Sequence, residues 1–155
     1  MHVGLIVYSK TGNTLSVAQK LMEALTAKGH TVSVARVEGE SGDPGKKQPP
    51  KVTTAPDPTV YDALVFAAPV HGFLLCPVMT LYLSKIPRLN GVKACCFATQ
   101  HFKFRWMGGN RAVRQMCGFL KEKGAVLSET GVVGWSAPDR EARITDVVER
   151  VSNCL

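Results

Sequence analysis

No apolar run in this chain of 155 residues approaches the ~20 that a helix needs to cross a bilayer, so no membrane span is predicted. No basic-then-apolar leader precedes the first apolar run, which begins almost at Met1, and a cytoplasmic location is the expectation. The five cysteines, Cys76, Cys95, Cys96, Cys117 and Cys154, form an odd set with no CxxC pair, which argues against a disulfide framework and against a zinc finger. Cys95 and Cys96 lie in an apolar, strand-like run where cysteine packs as a small hydrophobe; a redox role for either is the minority alternative. Acidic residues are few: Asp and Glu total 12 against 19 Lys and Arg, leaving a net charge of +7. That balance favours acidic ligands, partners or surfaces without choosing among them. Both common nucleotide fingerprints, GxGxxG and GxxxxGK[ST], are missing.

What is present is a chain with 45% hydrophobic residues and near-zero mean hydropathy, long enough to bury an ordinary core as a single domain over residues 1–155. The stretch that organises it is Ser9-Lys10-Thr11-Gly12-Asn13-Thr14, which follows the apolar run Val3 to Tyr8 and precedes a segment of helical spacing. A buried strand that ends in glycine and hydroxyl residues and then starts a helix leaves several backbone N–H groups unpaired near one point. That point attracts a phosphate. Ser9, Thr11 and Thr14 can each donate a hydroxyl hydrogen bond, Gly12 allows a close backbone approach, and the helix dipole adds up to ~2 kcal/mol in a partly buried site. The plainer alternative is a strand-to-helix turn in which Asn13 or Thr11 only caps the helix.

Helical spacing of Leu15, Ala18, Leu21, Met22 and Leu25, with Gly29 beyond, predicts a helix over 14–28. Residues 30–37 read as a second strand, with Val32 and Val34 on one face. The stretch from 38 to 59 is rich in proline, glycine and lysine and predicts an irregular crossover without a full helix. A third strand runs from Tyr61 to Ala68, and a helix with Pro77 in its first turn ends near Pro87. Val92 to Ala98 is a fourth strand, 110–123 a helix with Val113, Met116, Cys117 and Leu120 inward, and 125–135 a fifth strand. Ser136 and Asp139 give the S-x-x-D start signal of a last helix.

Strands alternating with crossovers predict an α/β fold, a three-layer sandwich with a five-stranded parallel sheet of order 2-1-3-4-5 and helices on both faces. In such sheets a ligand binds beyond the carboxyl ends of the strands, where the winding reverses. The loops after strands one, three and four meet there. The strand-three end is Ala68-Pro69, which excludes the phospho-accepting aspartate of a receiver domain. The first loop lacks the cysteine and arginine of a low-molecular-weight phosphatase.

These three loops carry a family resemblance. Ser9 to Thr14 closely resembles the phosphate loop of flavodoxins. Ala67-Ala68-Pro69-Val70-His71-Gly72-Phe73 resembles their second flavin loop, and Thr99-Gln100-His101-Phe102 through Trp106-Met107-Gly108-Gly109 resembles the third. The resemblance spans the chain and implies a flavodoxin-like FMN-binding protein of short-chain, basic form. It implies that Ser9, Lys10, Thr11, Gly12, Asn13 and Thr14 hold the FMN phosphate. Pro69, Val70, His71, Gly72 and Phe73, with Thr99, Gln100, His101, Phe102, Trp106 and Gly108, would hold the isoalloxazine. The chain departs from the usual pattern at His71, where many flavodoxins have tryptophan, and at Phe73, where an acidic residue is common. Gly72 tolerates the positive φ that would let a peptide after His71 turn its carbonyl toward the N5–H of reduced flavin.

The implied function is electron transfer or a small FMN-dependent oxidoreductase activity. Its partner would be a redox protein or a small donor or acceptor such as NAD(P)H or a quinone. No residue is nominated as a catalytic acid, base or metal ligand. The candidate rim of His71, His101, Lys103 and Arg105 predicts a less negative flavin potential than an acidic surround would give. Two rival readings are a cofactor-free interaction module of the same fold and a nucleic-acid binder using the basic-aromatic run His101 to Trp106.

Overall fold

The computed structural model describes residues 1–155, the side chain of Pro44 excepted. Its centre is a sheet of five parallel strands: β1 (His2–Val7), β2 (Thr31–Arg36), β5 (Ala63–His71), β7 (Lys93–Gln100) and β8 (Val126–Gly134). Their order is β2-β1-β5-β7-β8, the arrangement that the alternation of strands and crossovers predicts. The winding reverses between β1 and β5, so the carboxyl ends of those strands flank the crevice where ligands of open sheets bind.

Successive residues of a strand face opposite sides of the sheet, and both sides here are apolar. On one side Val3, Leu5, Val7, Val65, Cys95 and Phe97 form a core with α1 (Asn13–Ala27) and α4 (Arg140–Cys154). On the other, Ile6, Leu64, Phe66 and Cys96 pack with α2 (Pro77–Lys85) and α3 (Gly109–Glu122). The helical spacings predict these faces well. Ala18, Leu21 and Leu25 are buried on α1, and Val113, Met116 and Leu120 on α3.

Three local differences from the sequence-based expectation have physical causes. The proline- and glycine-rich crossover holds no α-helix, but it does form a short antiparallel ribbon of β3 (Glu38–Glu40) and β4 (Lys51–Thr54). Its fold-back is fixed by Asp43 and Gln48, which exchange backbone hydrogen bonds across Gly45 and Lys46. Second, β5 continues past Pro69 to His71, because its end turns back on β6 (Leu74–Leu75) in an antiparallel pair. Third, the S-x-x-D signal before α4 makes no side-chain cap; the Asp139 carboxylate instead pairs with Arg143 one turn on, at 2.9 Å.

Among the described residues, no helix is long and apolar enough to cross a membrane.

Candidate functional site

The first loop leaves β1 and enters α1 with Gly12 at the N-cap position, in a left-handed conformation (φ 92). A Cβ there would have nothing within 4 Å, so the cost of any other residue is in the backbone alone. Neither Thr11 nor Asn13 caps α1; the buried Ser9 does so from the strand end. Its Oγ accepts the N–H of Gly12 at 3.1 Å and that of Leu15 at 3.3 Å. Both lone pairs of that oxygen are thereby used, and its hydroxyl proton remains for a further acceptor. Among the described residues, the N–H groups of Lys10, Thr11, Asn13 and Thr14 have no partner in the protein. Four free amides in this loop and the first turn of α1, beside one free hydroxyl proton, make a donor set for an anion.

The hydroxyl of Thr14 has a partner within the protein, whereas its N–H has none among the described residues. Its hydroxyl lies buried against that of Thr99, with Oγ1 to Oγ1 at 2.7 Å, so it ties the first loop to the end of β7. Arg36 closes the other side. The register that pairs it with Val7 sets it at the carboxyl edge of the sheet, where its guanidinium donates to the Ser9 carbonyl at 3.3 Å.

The second loop is the tight turn between β5 and β6. Gly72 and Phe73 both have positive φ, 57 and 63, the pattern of a two-residue hairpin turn. Such a φ is unusual for a bulky aromatic residue and stores strain at this tip. Beside its ladder, the hairpin is held by the Leu75 N–H, which donates to Gln115 Oε1 at 2.9 Å, and by the Cys76 N–H, which donates to the Pro69 carbonyl at 3.3 Å. Phe73 is exposed and stacks almost parallel on Phe102 of the third loop, with ring centroids 5.8 Å apart.

The third loop runs from the end of β7 to α3 through bends and turns. Buried Gln100 shapes it from within. Its amide donates to the carbonyls of Phe102, at 2.7 Å, and Phe104, leaving Oε1 without a partner among the described residues. The loop splits its aromatic residues. Phe102 faces Phe73, whereas Trp106, 73% exposed, stacks on Phe104 with centroids 5.8 Å apart. Gly108 starts α3 with φ 113 and lies so near the hairpin that a Cβ would stand 2.7 Å from Val70 Cγ1 and 2.8 Å from Phe73 Cα.

Between the loops is a cavity of about 310 Å³ lined from all three, by Lys10, Thr11 and Asn13, by Pro69, Val70 and His71, and by Thr99, Gln100 and His101. Tyr8, Ser41 and Cys76 complete the wall. Burial pushes the Cys76 thiol up to about 12, so it stays a neutral, inert part of that wall. Trp106, Lys103 and Arg105 do not line the cavity. Lys103 and Arg105 belong to a separate cleft with Asp139, Arg143 and Asp146, and the Lys103 ammonium lies 5.0 Å over the Phe104 ring. The predicted basic rim therefore reduces to His71 and His101, with Lys10 added.

Sequence reasoning missed Tyr8, Arg36, Ser41 and Cys76. Arg36 was within reach of the sequence, since the 2-1 strand order puts the end of strand two beside the first loop. Ser41 was not, because nothing in the crossover announces a ribbon that folds toward that loop.

The residues present fit a phosphate ester with a flat ring. The loop offers backbone donors where a dianion would sit, no carboxylate lines the cavity among the described residues, and apolar Pro69 and Val70 stand next to the Phe73–Phe102 pair. The chain matches no protein-family model and no curated protein sequence. Its structure, however, is similar to those of several flavodoxins along their whole length. A mutant Pseudomonas aeruginosa flavodoxin matches with a TM-score of 0.72 at 15% identity, over 100% of this chain and 99% of that one. Streptococcus pneumonia TIGR4 flavodoxin matches with 0.69 at 17% identity, over 100% of both chains. The two-electron reduced flavodoxin of Megasphaera elsdenii matches with 0.66 at 20% identity, over 97% and 98%.

Proposed function

We propose that this chain, built on the flavodoxin fold, binds FMN and serves as an electron-transfer flavoprotein. The observation that carries the reading is the set of free N–H groups at Lys10, Thr11, Asn13 and Thr14, placed at the switch point of the sheet with the Ser9 hydroxyl beside them. These donors would hold the phosphate, and the helix end would favour its charge. Pro69 to Phe73 on one side and Thr99 to Phe102 on the other would hold the ring. Tyr8 lines the cavity, and the exposed, stacked Phe73 and Phe102 stand outside its wall, where they could cover a bound ring by parting. When bound, FMN supplies the redox chemistry; the chain's residues grip it, exclude water from it and set the charge around it.

That charge bears on what the flavin would do. Lys10 lines the cavity together with His71 and His101, with no acidic neighbour in the wall, and a cation near a reduced flavin stabilises its anion. Glu38 and Glu40 lie in an adjoining cleft on the far side of Ser9 and Lys10. The balance favours a less negative potential than a flavin in an acidic surround has. It suits exchange with NAD(P)H, a quinone or another redox protein in the cytoplasm.

The test is the visible spectrum of the purified chain, followed by titration with FMN and with riboflavin. The reading predicts flavin absorbance or uptake of added FMN, with riboflavin bound at least about tenfold more weakly, since each charge-assisted hydrogen bond contributes ~1.5–3 kcal/mol. A colourless protein that rejects FMN would overturn it.

A further inference from the structure

The fold brings four of the five cysteines into two thiol pairs, one on each side of β7. Cys95 and Cys96 are adjacent in that strand and therefore face opposite cores. The Cys95 sulfur is 3.3 Å from that of Cys154 at the end of α4; the Cys96 sulfur is 3.6 Å from that of Cys117 on α3. These thiols are remote in sequence, and no spacing motif announces either pair.

The two pairs differ in readiness to react. Burial pushes Cys95 up to about 12, and the half-buried Cys154 thiol donates to the Val151 carbonyl at 3.2 Å. Cys117 is half-buried as well. Hydrogen bonding from Cys96 and the charge of Lys121, one helical turn along, hold its thiol below the ordinary cysteine range. Cys96 is held well above that range by the same hydrogen bond and by burial. A half-buried thiol that ionises more readily than usual, 3.6 Å from a buried one, is the arrangement of an attacking and a resolving cysteine.

We propose that Cys96 and Cys117 form a dithiol oxidation site that reduces hydroperoxides and closes to a disulfide between β7 and α3. The Cys117 thiolate sulfur attacks one peroxide oxygen; an S–O bond forms, the O–O bond breaks, and the leaving hydroxide takes a proton to become water. The Cys96 sulfur then attacks the sulfenic sulfur of Cys117. The S–S bond forms, the S–O bond breaks, and the departing hydroxide leaves as water with the Cys96 proton. Two thiols lose two electrons in all, and one hydrogen peroxide becomes two waters. Bond formation asks the sulfurs to close from 3.6 Å to ~2.05 Å.

The site does not depend on flavin, so its test runs on the full chain with or without FMN. Hydrogen peroxide is added to the reduced protein, remaining thiols are alkylated after unfolding, and the tryptic peptides are mapped. The expected result is loss of two of the five thiols and a cross-link between the peptide of residues 94–103 and that of residues 115–121. Cys117→Ser should abolish the link, and Cys154→Ser should leave it intact. The proposal is overturned by five surviving thiols, by a link to Cys154 in place of Cys117, or by Cys117 oxidised to sulfinic acid without a link. The wild-type map alone decides the matter should a variant fold poorly.

Discussion

Ser9 serves two purposes through one oxygen, and its removal should show both. Ser9→Ala strips the acceptor from the Gly12 and Leu15 amides and so should cost about 1 kcal/mol of stability, as loss of a helix cap does. Thermal unfolding measures that part. The same variant should weaken FMN binding more than riboflavin binding, because only the phosphate would use the lost hydroxyl. Gly108 tests the seam between the second and third loops. Gly108→Ala drives a Cβ into Val70 and the Phe73 backbone at a φ of 113, so a loss of roughly 2 kcal/mol or more is expected by denaturant titration. Full stability in that variant would mean that the hairpin yields freely. At this scale the sequence reveals residue types well and partners poorly. Ser9 and Gly12 are readable because a strand-to-helix turn needs them. The pairing of Thr14 with Thr99 crosses 85 positions, and hydroxyls carry no sign of which way they face.

Among the elements, the β5–β6 hairpin is the most exposed to test. Its tip keeps Phe73 at a positive φ, and one side-chain acceptor on α3, Gln115, fixes its returning strand. Gln115→Ala should leave the Leu75 N–H unpaired and speed its hydrogen exchange about fivefold, in line with ~1 kcal/mol for one hydrogen bond. Unchanged exchange at Leu75 would show that backbone pairing alone holds the tip. Helix α3 also carries Cys117, whose alkylation rate should rise with a midpoint below the ~8.5 of an unperturbed cysteine. The direction follows from the cause: the Cys96 hydrogen bond and Lys121 favour the thiolate, so Cys117 ionises at lower pH than a free thiol. A rate profile at or above the unperturbed midpoint would contradict this. Most elements are legible from periodicity, since both cores are apolar and helix and strand repeats differ. The β3–β4 ribbon is not, because its proline and glycine content reports only the absence of helix, and its pairing depends on the backbone exchange between Asp43 and Gln48.

For the molecule as a whole, strand order makes the site. It places the ends of β1, β5 and β7 around one cavity and sends the basic residues of the third loop elsewhere, Lys103 and Arg105 toward α4. Alternation of elements made that order readable from the chain, whereas the fate of the charged loop was set by packing that no local pattern records. The expected potential follows from the cavity wall, and redox titration of the FMN-loaded protein should give a less negative value than in an acidic surround. Replacing both His71 and His101 by glutamate should make it more negative, while replacing Lys103 should not. The central claim is that backbone amides of the first loop grip a phosphate dianion, and amide NMR during FMN titration tests it most directly. The account predicts large downfield shifts and slowed exchange at Lys10, Thr11, Asn13 and Thr14, absent when riboflavin is used. FMN bound with those four amides unmoved would contradict it.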